Sequence, residues 1–349
     1  MKMVVVKRVL KSKAIARVLM AALIVFSVAF TAVFAKDGIN ANGLAEDRAE
    51  YKGIITLWHI DTFEGGTGSR KQFLNSVSRG FEKKNQGVLT AIVEHTAESA
   101  EMAMAEGRFP DLISYGAGVK TANLKEIGVS AYCAGGGKDG EIYAVPWCRG
   151  GYCIIENPEY KRKKNKKTGE YVEDPIIVSV GENTNPLLAC AISGRKLGNY
   201  VEYAPMDAYV NFVSGKSRYF VGTQRDINRL NNRGMDFISQ PISGYNDLFQ
   251  YISITTNDQT KYGYAEKFVE YLIGEEVQKR LSAIGMLSCY YQVEYEDPDM
   301  KALQSAVTEY CPSAFATSEE RELLREMSAT ALAGDSENMD KIKKVLVKS

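Results

Sequence analysis

Histidine and tryptophan are scarce in this chain, two of each in 349 residues. His59 and His95 alone do not make the three- or four-ligand shell that zinc takes, and Cys148 and Cys153 lack the C-x-x-C spacing that would supplement them. The G-x-S-x-G elbow, the H-E-x-x-H helix and the P-loop are all missing. Their absence argues against a serine hydrolase of that type, a zinc protease and a nucleotide hydrolase, and no cofactor is implied. There is no internal repeat and no long low-complexity segment. Six cysteines in a chain this long do not form a disulfide scaffold, and their spacing leaves every pairing open.

Acidic residues are missing from the first 17 positions, which carry six basic ones: Lys2, Lys7, Arg8, Lys11, Lys13 and Arg17. Residues 18–35 are then almost wholly apolar and end Val33-Phe34-Ala35. This order of charged, apolar and small residues is that of a secretory signal. The apolar run also has about the length of the shortest membrane-spanning helices, so an uncleaved anchor fits it too. No cysteine follows the run directly, which argues against lipid attachment. Without the six leader cations the formal charge of zero becomes 37 basic against 43 acidic, near −6. A mildly acidic exported protein is not expected to bind nucleic acid. The remaining length, about 314 residues, exceeds what one core usually serves, so two domains are expected.

The most informative stretch is residues 53–70, GIITLWHIDTFEGGTGSR. A short apolar strand runs into a loop holding Trp58, His59, Asp61, Phe63 and Glu64, then into three glycines and the start of a helix near Arg70. In an open parallel sheet the crevice beyond the strands' carboxyl ends is where ligands sit. Phe73, Leu74, Val77 and Phe81 recur at helical spacing, and Gly87 ends that helix. Residues 88–93 read as a strand, 97–106 as a helix and 110–116 as a third strand, a β-α-β-α-β order that predicts a helix-covered parallel sheet. Short strands are expected over 141–146 and 152–155, and another over 248–255. Apolar positions from Ala265 to Ile284 keep helical spacing for some twenty residues, up to Gly285. Thr317 and Glu320 fit a capping box, and Asp335 can cap the last helix. The basic run over 161–167 reads as a solvated hairpin tip, with an anionic wall or membrane surface as the sharper alternative.

Four stretches, in this order and spacing, resemble the extracellular solute-binding proteins of ABC importers, in the group that contains maltose-binding protein. They are ITLWHIDTF, FEKKNQGVLTAIVEHT, PDLISYG and YGYAEKFVEYLIGEEVQKRLSAIGMLS, with ATALAGDSENMDKIKKVL as a similar closing helix. The resemblance implies a two-lobed α/β fold of the type II periplasmic-binding kind, with a ligand cleft between the lobes. Lobe one would span residues 52–148 and 251–287, lobe two 149–250, and a helical tail 288–349 would pack mainly on lobe two. Hinges would fall near residues 145–151, 250–255 and 288. The stretch between Tyr160 and Tyr203 is shorter than is usual for the family's oligosaccharide binders, which leaves the sugar class open.

The function implied is capture of a small solute, a carbohydrate first, by hinge closure, and its delivery to the permease subunits of an ABC transporter by a monomer outside the cytoplasm. Trp58 and Trp147 are the candidates for stacking on sugar rings. Asp61 and Glu64 are candidate acceptors for ligand hydroxyls, with helix capping as their alternative role. Tyr115 ends a strand at the crevice, Arg149 at a hinge offers a bidentate clamp or an interlobe ion pair, and Tyr245 supplies a lobe-two aromatic. Two readings of other classes stay open: a secreted glycan-acting enzyme pairing Asp61 or Glu64 with an acid such as Asp247, and a membrane-anchored sensor on the same fold.

Overall fold

The computed structural model describes residues 51–131, 134–162, 164, 167–171 and 174–348. The leader and the apolar run over 18–35 lie outside them, as do Cys133 and part of the basic run. No helix among the described residues is long and apolar enough to cross a membrane.

The chain opens with β1 (Gly53–His59), α1 (Arg70–Lys84), β2 (Val88–Glu94), α2 (Ala97–Ala105) and β3 (Leu112–Gly116). A small hairpin, β4 (Gly137–Lys138) and β5 (Glu141–Ile142), precedes β6 (Val145–Arg149) and β7 (Tyr152–Glu156). Next come β8 (Ile176–Ser179), α3 (Pro186–Ile192), β9 (Tyr200–Tyr203), α4 (Pro205–Val213), β10 (Tyr219–Thr223), α5 (Gln224–Arg233) and β11 (Ile238–Pro241). The chain returns through β12 (Gly244–Tyr245), β13 (Phe249–Ile254), α6 (Gln259–Ile273) and α7 (Glu275–Gln278). It closes with α8 (Pro298–Gln304), β14 (Thr308–Cys311), α9 (Ser318–Leu332), α10 (Ser336–Val345) and β15 (Val347–Lys348).

Two five-stranded sheets organise these elements, in the orders β2-β1-β3-β13-β6 and β11-β7-β10-β8-β9. β1 runs parallel to β2 and β3, and β8 runs parallel to β9 and β10, so in each sheet several strands deliver their carboxyl ends to one edge. Three crossings lie side by side between the sheets. Arg149 and Leu287 exchange both backbone hydrogen bonds, and Gly150 N donates to Leu248 O. The first sheet is covered on one face by α1 and α6, where Phe81 meets Phe268 edge-on at 5.2 Å. The second sheet is buried on both faces: Phe212, Phe220, Ile227 and Leu303 on one, and Leu187, Leu188, Leu324 and Ile342 on the other.

Local signals place most element ends. Thr317 and Glu320 form the reciprocal capping box of α9, and Asp335 caps α10 through Asn338 N. The long helix expected up to Ile284 is interrupted. Gly274 takes an extended conformation (φ −64°, ψ 149°) after α6, and the chain continues as α7 and a 3₁₀ turn over Lys279–Ile284. Buried Gln278 supports that break by donating to Leu272 O, which the interrupted helix leaves free, and it also donates to Trp147 O on β6.

Candidate functional site

The carboxyl ends of β1 on one sheet and of β8, β9 and β10 on the other converge on one cleft of about 480 Å³. Asp61, Thr62, Phe63 and Glu64 line it from the first lobe. Ser179, Glu182, Thr184, Met206 and Thr223 line it from the second, and Leu248 forms part of its wall at a crossing. Its polar groups are hydroxyls and carboxylates, set in a wall that Phe63, Met206, Leu248, Ala204 and Pro205 make largely apolar, and Phe63 is the one aromatic ring among the lining residues. A smaller cavity of about 350 Å³ adjoins it through Glu182 and Thr184 and is walled by Tyr245, Arg321 and Arg325.

Asp61 is held by lobe one from two sides. Its Oδ1 lies 2.6 Å from Arg70 Nε and 3.0 Å from His59 Nε2, while its side chain stays 44 % exposed. Burial alone would push this carboxyl up; the His59 hydrogen bond and the Arg70 charge outweigh it and hold Asp61 below the usual carboxylate range. His59 is in turn oriented by Ser114, whose Oγ lies 3.1 Å from His59 Nδ1. Trp147 Nε1 (3.0 Å) and Gln250 Nε2 (3.1 Å) both donate to that oxygen and occupy its lone pairs. The Ser114 O–H therefore points at His59 Nδ1, and the ring turns its Nε2–H toward Asp61. This chain of bonds runs from the cleft into β6 and β13, the strands that lead to the crossings.

Glu64 is committed to the opposite lobe. Its carboxylate takes Arg229 bidentately, at 2.8 Å from Nη2 and 3.2 Å from Nη1, with Arg225 Nε at 3.5 Å. Its carbonyl accepts from Gln224 Nε2, and Gly66 O accepts from Arg225 Nη1 at 2.6 Å. Phe63 between them packs against the lobe-two core.

The remaining expected site residues are placed elsewhere. Trp147 is fully buried in lobe one, stacked on Phe73 at 5.9 Å, because its indole N–H finds Ser114 inside the core. Trp58 sits on the other face of the sheet, against His95 at 4.3 Å. Tyr115 is fully buried with its hydroxyl 3.1 Å from Ser253 Oγ, on a strand that is buried along its whole length. Arg149 lies buried at a crossing. It donates to the carbonyls of Ser288 and Gln304 and ties a crossing to α8. Tyr245 is buried and lines the smaller cavity. Asp247 is fully buried between Tyr152 OH (2.6 Å) and Arg321 (3.1 Å), so it faces no cleft acid. Asp61 and Glu64 are thus the two predicted residues that the fold brings to the main cleft. Ser179, Glu182 and Thr184 escaped the sequence reading, although Ser179 ends β8 and the other two lie in the loop after it, where a parallel sheet places ligand-facing residues.

No family model matches the chain, and no curated protein matches it in sequence. Solved structures match its fold. The cyclic alpha-maltosyl-1,6-maltose binding protein from Arthrobacter globiformis is 11 % identical with a TM-score of 0.57, over 84 % of this chain and 97 % of that one. The sugar-binding protein MalE from Xanthomonas citri is 12 % identical with a TM-score of 0.55, over 84 % and 95 %. The GacH receptor of Streptomyces glaucescens, solved unliganded and with acarbose, is 15 % identical with a TM-score of 0.54, over 85 % and 97 %. The chain has the two-lobed α/β architecture of type II periplasmic-binding folds.

Proposed function

We propose that this chain is an extracytoplasmic solute-binding protein that captures a carbohydrate and hands it to the permease of an ABC importer. The observation that carries this reading is the cleft. Strand ends from two separate sheets present hydroxyl and carboxylate groups across one gap, and three adjacent crossings join the sheets. Such an arrangement closes on a ligand by rotation about the crossings and needs no chemistry. A ligand favours the closed form only by binding it more tightly, which contacts from both lobes provide. The likeness to proteins named for sugars supports the ligand class. Stacking on tryptophan does not, since neither tryptophan lines the cleft; recognition falls to Asp61, Thr62, Ser179, Glu182 and Thr184, with Phe63 as the aromatic wall.

A thermal-shift screen against sugars, amino acids, peptides and polyamines tests this. A solute that binds the folded state at 100 times its Kd stabilises it by about 2.7 kcal/mol and raises the midpoint. The expected hit is a neutral sugar. Cleavage of an oligosaccharide with no solute shifting the midpoint would replace this reading with that of a glycan-acting enzyme.

A further inference from the structure

Arg70 opens helix α1 behind the cleft and has almost no contact with solvent, its side chain being 1 % exposed. Buried arginine is costly unless its charge and its donors find partners. Its contacts here are all in one loop: Nε forms an ion pair with Asp61 Oδ1, Nη2 donates to Phe63 O, and the guanidinium lies over the Phe63 ring at 4.2 Å, while neither Nε nor Nη1 makes an aligned hydrogen bond within the described residues. His59 approaches the same Asp61 oxygen. Within the described residues nothing bonds Asp61 Oδ2, and Asp61 lines the cleft.

We propose that Arg70 is the positioning residue of the cleft, gripping Asp61 by one carboxylate oxygen and Phe63 by carbonyl and ring so that Asp61 Oδ2 meets a hydrogen-bond donor of the ligand. This rests on the solute-binding reading. The ligand group at this point is an O–H or N–H donor, because an ionised carboxylate only accepts. Lysine is no substitute: it carries the charge but lacks the planar fork that reaches Asp61 and Phe63 together. The charged and titratable groups around Asp61 are His59 and Arg70 from β1 and α1, Glu64 and Glu182 along the cleft, and Cys148 behind Arg70.

The test is a ¹³C NMR titration of the Asp61 carboxyl carbon, assigned with Asp61→Asn, together with calorimetry using maltotriose as probe. In the unmutated protein, Asp61 titrates below the usual range and the Arg70 Nε–H resonance moves with the same midpoint; independent midpoints overturn the proposal. In Arg70→Gln the Asp61 midpoint rises, and an unchanged midpoint in a folded variant overturns it. Arg70→Lys keeps the midpoint low but weakens maltotriose binding about tenfold, the loss expected for a charged hydrogen bond. Full affinity in Arg70→Lys overturns the positioning role. Arg70→Gln combined with Asp61→Asn costs no more than Asp61→Asn alone, whereas additive losses overturn it. If the unmutated protein ignores maltotriose, the carbohydrate reading loses support, and the two resonances still decide for or against Arg70.

Discussion

Glu64 on the lobe-one loop and Arg229 on helix α5 of lobe two form a bidentate ion pair, 2.8 Å at its shorter contact, beside the cleft that separates the lobes. Asp61, three residues earlier, is fastened to lobe one through Arg70 and His59. One short loop is therefore held at one end by each lobe, and any rotation of the lobes must strain or release one of these fastenings.

Glu64→Gln is expected to loosen this strap. Half-buried bidentate pairs are worth more than exposed ones, and a loss of about 1–2 kcal/mol in urea unfolding is expected. The radius of gyration from solution scattering should rise. The charge-swapped pair of Glu64→Arg with Arg229→Glu should restore part of both losses; failure of the swap, with both single variants neutral, would reduce the pair to a surface contact.

Two carboxylates make stability depend on pH with opposite signs. Asp61 is depressed in the folded state, so its contribution is complete above the ordinary value of 3.8 and disappears as pH falls through the lower folded value. Asp226 is raised, chiefly by burial, with the Thr223 N–H and Arg229 pulling it down and Glu64 pushing it up, and it lies at about 6. Its contribution is complete below 3.8 and disappears as pH rises through about 6. Urea midpoints measured from pH 3 to 8 should therefore lose their acid-side fall in Asp61→Asn. Asp226→Asn should instead remove a decline between about pH 4 and pH 7.

Trp147→Ala should act on the core before it acts on ligand. Removing a fully buried tryptophan costs about 3–5 kcal/mol. Trp147→Phe keeps most of the packing on Phe73 and loses the bond to Ser114, for about 1–2 kcal/mol. Chemical denaturation distinguishes these values. A lost affinity with unchanged stability would return Trp147 to the cleft.

Gly66→Ala should displace the loop. A Cβ there would lie 2.0 Å from Ile284 O and 2.4 Å from Gly285 C, both backbone atoms that cannot step aside alone. A cost of about 1–3 kcal/mol is expected, as for other overpacked sites. Glu64 should move away from Arg229 with the loop, so Glu64→Gln should cost less in this background than in the parent. Equal costs in both would separate Gly66 from the strap.

Much of the architecture was legible in residue order. The periodicity of Phe73, Leu74, Val77 and Phe81, the alternation after Gly53, and the capping boxes are local patterns, and local patterns set elements. Asp61 and Glu64 were legible as cleft residues because they follow a strand of a parallel sheet. What each carboxylate does there was not legible. Arg229 lies 165 positions from Glu64, and no spacing rule links them. Trp147 read as a hinge aromatic from its place in the chain, yet Ser114 on a neighbouring strand offered its N–H a partner in the core. Gly274 kept the apolar period running through a position where the backbone leaves the helix.

The sequence by itself determined the β-α-β-α-β order of the opening segment and the strand-end loop that carries Asp61 and Glu64. Propensity, periodicity and capping act over a few residues and suffice for that. The tertiary structure alone decided that Arg70 holds Asp61, that Glu64 pairs with Arg229 of lobe two, and that both tryptophans leave the cleft. Those outcomes depend on which distant side chain satisfies a buried charge or N–H, and only the folded packing brings such partners within 3 Å or so of one another.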